Sequence, residues 1–265
     1  MSFFVDSFGG VGSSWRAIAT LVAVAAVAGC NEVDDDDAAA GEGGEGGASP
    51  CLVGCAIDEA TSGGASPEPE VRPAFGACDG YANEVVEVRY GDGAGHGQDA
   101  MPFIVLGPPQ GGGATKGSLD VVTLGNGGSV VLGLGPQRIV DGPGPDFTVF
   151  ENAFYAGGNP NAPFAEIGSV EVSADGETWH GFPCTATTLP FDGCAGWHAV
   201  FAGPNHDDAD PHDPATSGGE SFDLAEVGLT EARFVRVVDR ADLAGFNGTF
   251  DLDAIALVHW TCDAP

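Results

Sequence analysis

The sequence predicts an all-β domain, an antiparallel two-sheet jelly-roll sandwich, behind a disordered N-terminal segment. Three observations predict it. The 265 residues include 43 Gly and 18 Pro, a composition suited to short strands and frequent turns. From Ala77 onward short β-rich runs recur, broken by Gly, Pro, Asn and Asp. Helical periodicity is nearly absent: only 224–229 has the length for a turn or two, and the crossover helices of a parallel α/β sheet are missing. The number of runs, about eight, is that of a jelly roll.

Each run follows from its pattern. Residues 83–90 set Val85, Val86 and Val88 against Glu84, Glu87 and Arg89. Residues 119–124 (LDVVTL) and 128–134 (GSVVLGL) are joined by GNGG, a hairpin signal. Residues 146–151 (DFTVFE) and 167–173 (IGSVEVS) come next, and Asp175-Gly176 turns the chain into 178–182. Residues 233–239 (RFVRVVD) and 252–259 (LDAIALVH) complete the set.

Ahead of this domain the chain changes character twice. Residues 17–29 are apolar and uncharged, the length of an export-signal core and too short to span a bilayer comfortably. The run ends in Val27-Ala28-Gly29-Cys30, which resembles the lipobox of bacterial lipoproteins; the resemblance implies that Cys30 becomes the acylated N-terminus. Residues 31–70 hold eleven acidic residues and no basic one, including Asp34 to Asp37, and read as a solvated, self-repelling tether. The expected organisation is a lipoprotein signal peptide at 1–29, an acidic Gly-rich stalk at 30–76 and a sandwich domain at 77–265. The protein is expected to be exported and lipid-anchored to the cell envelope, at the outer membrane or cell surface.

The charge excludes one class of partner. With 39 acidic against 8 basic residues the net charge is -31, so nucleic acid is repelled. Setting Cys30 aside leaves Cys51, Cys55, Cys78, Cys184, Cys194 and Cys262, an even set that reads as disulfides in an oxidising compartment. All pairings are open by count. Spacing suggests Cys51 with Cys55, Cys184 with Cys194, and Cys78 with Cys262 across the ends of the folded part.

A family resemblance rests on motifs in a fixed order: LGNGGSVVL at 124–132, DGPGPDFTVFEN at 141–152, FAE at 164–166, VEVSADG at 170–176 with Trp179, SFDLA at 221–225, RFVRVVD at 233–239 and FDLDAI at 250–255. This order resembles a group of uncharacterised bacterial cell-surface proteins with lipoprotein signals or sorting tails. More distantly it is similar to discoidin-like galactose-binding domains. The resemblance implies a jelly roll that binds glycans, lipids or proteins through its loops, often with a structural calcium, and it implies no catalytic residues.

The chain's own residues offer three constellations. Oxygen-rich loops suit calcium, and the candidate ligands are Asp141, Asp146, Glu151, Asn152, Asp223, Asp251 and Asp253. Asp251 and Asp253, two apart on a strand, are expected on one face. The acidic insertion 205–213, with His206, Asp208 and His212, reads chiefly as a solvated loop, with His206 and Asp208 as candidate ligand contacts. Tyr155 in a Gly/Asn/Pro-rich loop and Trp197 offer aromatic faces to a sugar ring or protein, whereas Trp179 is expected in the core. Neither Ser129 nor Ser169 sits in a G-x-S-x-G elbow. The expected function is therefore a non-catalytic surface binding or adhesion module, calcium-stabilised and glycan-binding. A structural envelope component and a glycan-acting hydrolase are the alternatives.

Overall fold

Alternation of apolar and polar residues builds the larger sheet. In the strand Phe234–Asp239, Val235 and Val237 are fully buried while Arg236 between them faces outward. The computed structural model describes residues 78–206, 208–243 and 248–263, all within the compact unit Gly64–Pro265. Five antiparallel strands lie in the order Glu84–Arg89, Ser129–Gly133, Phe234–Asp239, Gly168–Ser173 and His180–Gly181. The edge strand Glu84–Arg89 carries a bulge: Val85 pairs with Leu132 and Glu87 with Val131, so Val86 is skipped and turned to solvent.

A second sheet places Phe147–Phe150 between Glu220–Phe222 and Ala254–Leu257, again antiparallel. Between the two sheets Val130, Leu132, Val170, Val172, Val235 and Val237 meet Phe147, Val149, Phe222, Ile255 and Leu257 in one core. Phe147, Phe182 and Phe222 form an aromatic knot with ring centroids 4.8–5.9 Å apart. Each such side chain contributes about 1.5–3 kcal/mol by leaving water. The result is an antiparallel two-sheet sandwich of jelly-roll type, with three small additions: Glu231–Ala232, Gln137–Val140 and Trp260–Cys262; Val122–Thr123 with Asp251–Leu252; and Phe154–Tyr155 with Pro163–Phe164.

Several sequence expectations are corrected. The GNGG turn exists, with Gly128 N–H donating to Gly125 O at 2.8 Å, but it joins no hairpin. Val122–Thr123 pairs with Asp251–Leu252, while Ser129–Gly133 pairs with Glu84–Arg89 and Phe234–Asp239. Trp179 lies outside the core, beneath the guanidinium of Arg236 at 4.2 Å on the outer face of the larger sheet. Nor is 205–213 simply a solvated loop. The ring of His212 packs 4.8 Å from Tyr81 and 5.1 Å from Trp260, and its Nδ1 lies 2.7 Å from Leu257 O. Downstream of that histidine, Asp213 accepts Ala215 N–H at 2.9 Å and caps the one-turn helix Pro214–Ser217, with Pro214 at its first position.

The outer face of the second sheet is covered too. Phe150, Ala254 and Ala256 are buried with Val200 and Ala202, so Phe147–Phe150 and Ala254–Leu257 are buried on both sides. Two disulfides are present among the described residues. Cys78–Cys262 ties the beginning of the described chain to its end, and Cys184–Cys194 closes a short loop. Such bonds belong to an oxidising compartment, which points to an exported or extracellular protein. Among the described residues no helix is long and apolar enough to cross a membrane. Cys30, Cys51 and Cys55 lie outside the described residues.

Candidate functional site

A groove runs along the Trp197–Gly219 side of the sandwich as three adjoining clefts. One, about 270 Å³, is lined by Tyr155, His198, Phe201 and Pro214. A second, about 350 Å³, shares His198 and Pro214 with it and adds Asp192, Trp197 and Glu226. A third, about 250 Å³, shares Phe201 and adds His206, Asp208 and Thr216. The structure thus brings the four sequence-predicted ligand contacts, Tyr155, Trp197, His206 and Asp208, to one connected surface.

The groove wall is built rather than loose. Glu220, 6% exposed on its strand, accepts Gly196 N–H at 2.8 Å, Trp197 N–H at 2.9 Å and His198 N–H at 2.6 Å. His198 Nδ1 lies 3.3 Å from the same carboxylate. Three amides converging on one buried carboxylate fix the backbone that presents Trp197 and His198, whose ring centroids lie 3.7 Å apart. Tyr155 is held by a different device. It sits in the ribbon Phe154–Tyr155 with Pro163–Phe164, where Phe154 stacks on Phe164 at 5.0 Å, and its N–H donates to Ala114 O at 2.9 Å.

The sequence-predicted metal ligands separate into three places. Asp141, Asp146 and Asp223 converge, each offering an oxygen within 4.8 Å of the others, a group able to hold a metal ion. Its buried member is already well supplied with donors: Asp146 accepts Gly142 N–H at 2.8 Å, Leu224 N–H at 2.8 Å, and faces His259 Nδ1 at 2.9 Å. Asp223 accepts Ala225 N–H at 2.9 Å as the cap of Leu224–Val227. Asp253 stands apart. Both its oxygens accept the Gln110 N–H, at 3.0 and 2.8 Å, and burial pushes its carboxyl well above the usual range. Asp251 and Asp253 therefore do not share a site, because the strand breaks between them.

The third place gathers Glu151, Asn152 and Asp251, and adds Glu166, which sequence reasoning left out of the ligand set. Glu151 is 2% exposed and its oxygens meet no N–H or hydroxyl donor among the described residues, only the neighbouring carboxyl of Glu166; Asp251 Oδ1 is likewise buried and without a donor. Asn152 Oδ1 accepts Ser118 N–H at 2.6 Å, and its Nδ2 approaches Asp251 Oδ2 at 3.5 Å. Burial, then the Glu166 charge, push the Glu151 carboxyl well above its usual range. Burial and Asp251 push Glu166 up to about 8, although its carboxyl lies within hydrogen-bonding reach of Glu151. Burial raises Asp251 as well. The signal for Glu166 was a lone acid inside the apolar stretch Phe164 to Ile167.

No known protein family matches the chain, and no curated protein does. Solved structures similar to it are distant. The C-terminal domain of a chitobiase from Bacteroides fragilis is 13% identical with a TM-score of 0.28, the match covering 52% of this chain and 65% of that one, just under two thirds. A glycoside hydrolase matches at 13% identity and TM-score 0.26 over 54% of this chain and 23% of its own. CpGH89CBM32-6, produced by Clostridium perfringens, matches at 12% identity and TM-score 0.25 over 52% and 74%. No residue role is transferred from them.

Proposed function

We propose that this protein is a non-catalytic binding module of the cell surface, held by a lipid on Cys30 and stabilised by calcium, that takes a glycan in the groove between Tyr155, Trp197 and Asp208. One observation carries the reading: aromatic rings line three clefts that share residues, two of them with carboxylates (Asp192 and Glu226, and Asp208), beside a wall that Glu220 fixes from behind. Sugar rings offer apolar faces to aromatics and hydroxyls to carboxylates, which is the chemistry of this lining. Glu220 itself is engaged by three backbone amides, which supports a role in holding the groove wall. The lipobox and the disulfides support an exported, anchored chain. A glycan array with the full chain tests the groove. Binding that Trp197→Ala and Tyr155→Ala both weaken, with the melting temperature kept, supports it; hydrolysis of the captured glycan, or binding indifferent to both variants, defeats it.

A further inference from the structure

We infer that the groove takes a linear oligosaccharide of amine-bearing sugars, laid along all three clefts with its protonated amines against the carboxylates at both ends. The inference rests on the glycan reading of the groove and narrows it to one ligand class. The order of the clefts carries its first half. The cleft of Trp197 shares His198, Pro214 and Gly219 with the cleft of Tyr155, which in turn shares Phe201 with the cleft of Asp208. The two outer clefts have no lining residue in common, so the three form a row with Tyr155 in its middle. At about 250–350 Å³ each is at the small end for a ligand pocket, so a chain of rings needs the whole row.

Charge carries the second half. Asp192 and Glu226 line one end of the row and Asp208 the other; all three are exposed, and none makes an ion pair among the described residues. The arginines are engaged elsewhere: Arg89, Arg138, Arg233, Arg236 and Arg240 all pair with other acids. Lys116 lines none of the three clefts, whose only basic side chains are His198 and His206, and His198 faces Glu220 at 3.3 Å. A uronic, sulfated or phosphorylated glycan would bring like charge to both ends of the row, whereas a protonated amine meets an opposite charge there. An ammonium is also drawn to the face of an indole, which Trp197 supplies beside Asp192 and Glu226. The middle cleft has no carboxylate and offers Tyr155 and Phe201 to the apolar face of a ring.

Calorimetry of the full chain with the monomer, dimer and trimer of glucosamine, and with the N-acetylated trimer, tests it in mildly acidic buffer, where the sugar amine holds its proton. The free-amine trimer is expected to bind about 10-fold or more tighter than the monomer, because linked units reach neighbouring clefts at high effective concentration. It is expected to bind tighter than the N-acetylated trimer and to weaken as salt rises. Asp192→Asn, Glu226→Gln and Asp208→Asn are each expected to weaken it by about 1.5- to 5-fold, the range of an exposed charge pair, with the melting temperature kept. Glu84→Gln, on the edge strand of the larger sheet, is expected to leave it unchanged. An N-acetylated trimer bound as tightly as the free amine, or Glu84→Gln as damaging as the groove variants, overturns the charge selection while leaving a glycan in the groove. A trimer no tighter than the monomer overturns the row. If neither trimer binds but the array shows another glycan held by Trp197 and Tyr155, this inference falls alone; if the array is blank as well, the glycan reading falls with it.

Discussion

Glu220 Oε1 accepts the Trp197 amide at 2.9 Å from inside the groove wall. Because the same carboxylate also takes the amides of Gly196 and His198, its removal strands three donors at once. Glu220→Ala is expected to cost about 2–4 kcal/mol, since each buried donor left unpaired costs about 1–3 kcal/mol and such losses are not additive. Urea unfolding gives the stability. A red shift of the Trp197 emission, checked against Trp197→Phe, reports whether the wall has loosened. An unchanged unfolding midpoint would show that the wall does not depend on this carboxylate.

The two disulfides close loops of very different span. Cys78 and Cys262 are 184 residues apart, Cys184 and Cys194 only 10. If each bond acts by restricting the unfolded chain, removing the first costs about 5 kcal/mol and the second about 2–3 kcal/mol. Paired Cys→Ser variants, unfolded in urea without reductant, check the order. The reverse order would mean that native contacts around Cys184, such as the Arg240 bond to its carbonyl at 2.6 Å, outweigh loop entropy.

Local chemistry made some elements legible and left others invisible. Val235 and Val237 alternate with Arg236, and Val170 and Val172 with Glu171, so these strands and their buried faces could be read directly from the sequence. Gln137–Val140 and Trp260–Cys262 could not, since neither alternates clearly and they pair across some hundred residues of chain. The GNGG turn was visible, but a turn specifies only its own backbone. The choice of Asp251–Leu252 as partner for Val122–Thr123 is made by the tertiary core. The acid clusters show the same division. Glu151, Asn152 and Asp251 were recognisable as oxygen donors, whereas their separation from Asp141, Asp146 and Asp223, and their meeting with Glu166, depend on how the second sheet is wound. Trp179 reads as core by residue type. It sits outside because Arg236, directly opposite Glu171 in the pairing register, offers a cation to its face.

The buried acids set an unusual pH dependence. Burial and Asp251 hold the Glu166 carboxyl at about 8, against an ordinary 4.5 in the unfolded chain. The folded form therefore keeps a proton that the unfolded form has released. In EDTA this contribution is fully present below about pH 4.5 and is lost as pH rises through about 8. Glu151 and Asp251, also raised, act in the same direction. The melting temperature in chelator is expected to fall between pH 5 and 8, measured by circular dichroism at fixed ionic strength. Glu151→Gln, which can donate its amide to Glu166, is expected to flatten it without calcium. A melting temperature that rises over this interval in EDTA would contradict the buried ionisation.

The Glu166 N–H to Gly196 O bond at 3.0 Å gives a route from the acid cluster to the groove. Gly196 is also one of the three amides that Glu220 holds, so a shift of the Glu166 backbone is felt where Trp197 stands. If calcium orders that backbone, glycan affinity in calcium should exceed affinity in EDTA, and by linkage the glycan should tighten calcium by the same factor. A factor of about 5–10 is expected, the lower part of the usual range for coupled sites. Calorimetry of a glycan identified by array, run in both buffers, measures the first half of the cycle, and calcium titration with saturating glycan measures the second. Equal glycan affinities in the two buffers would disconnect the groove from the cluster while leaving each able to act alone.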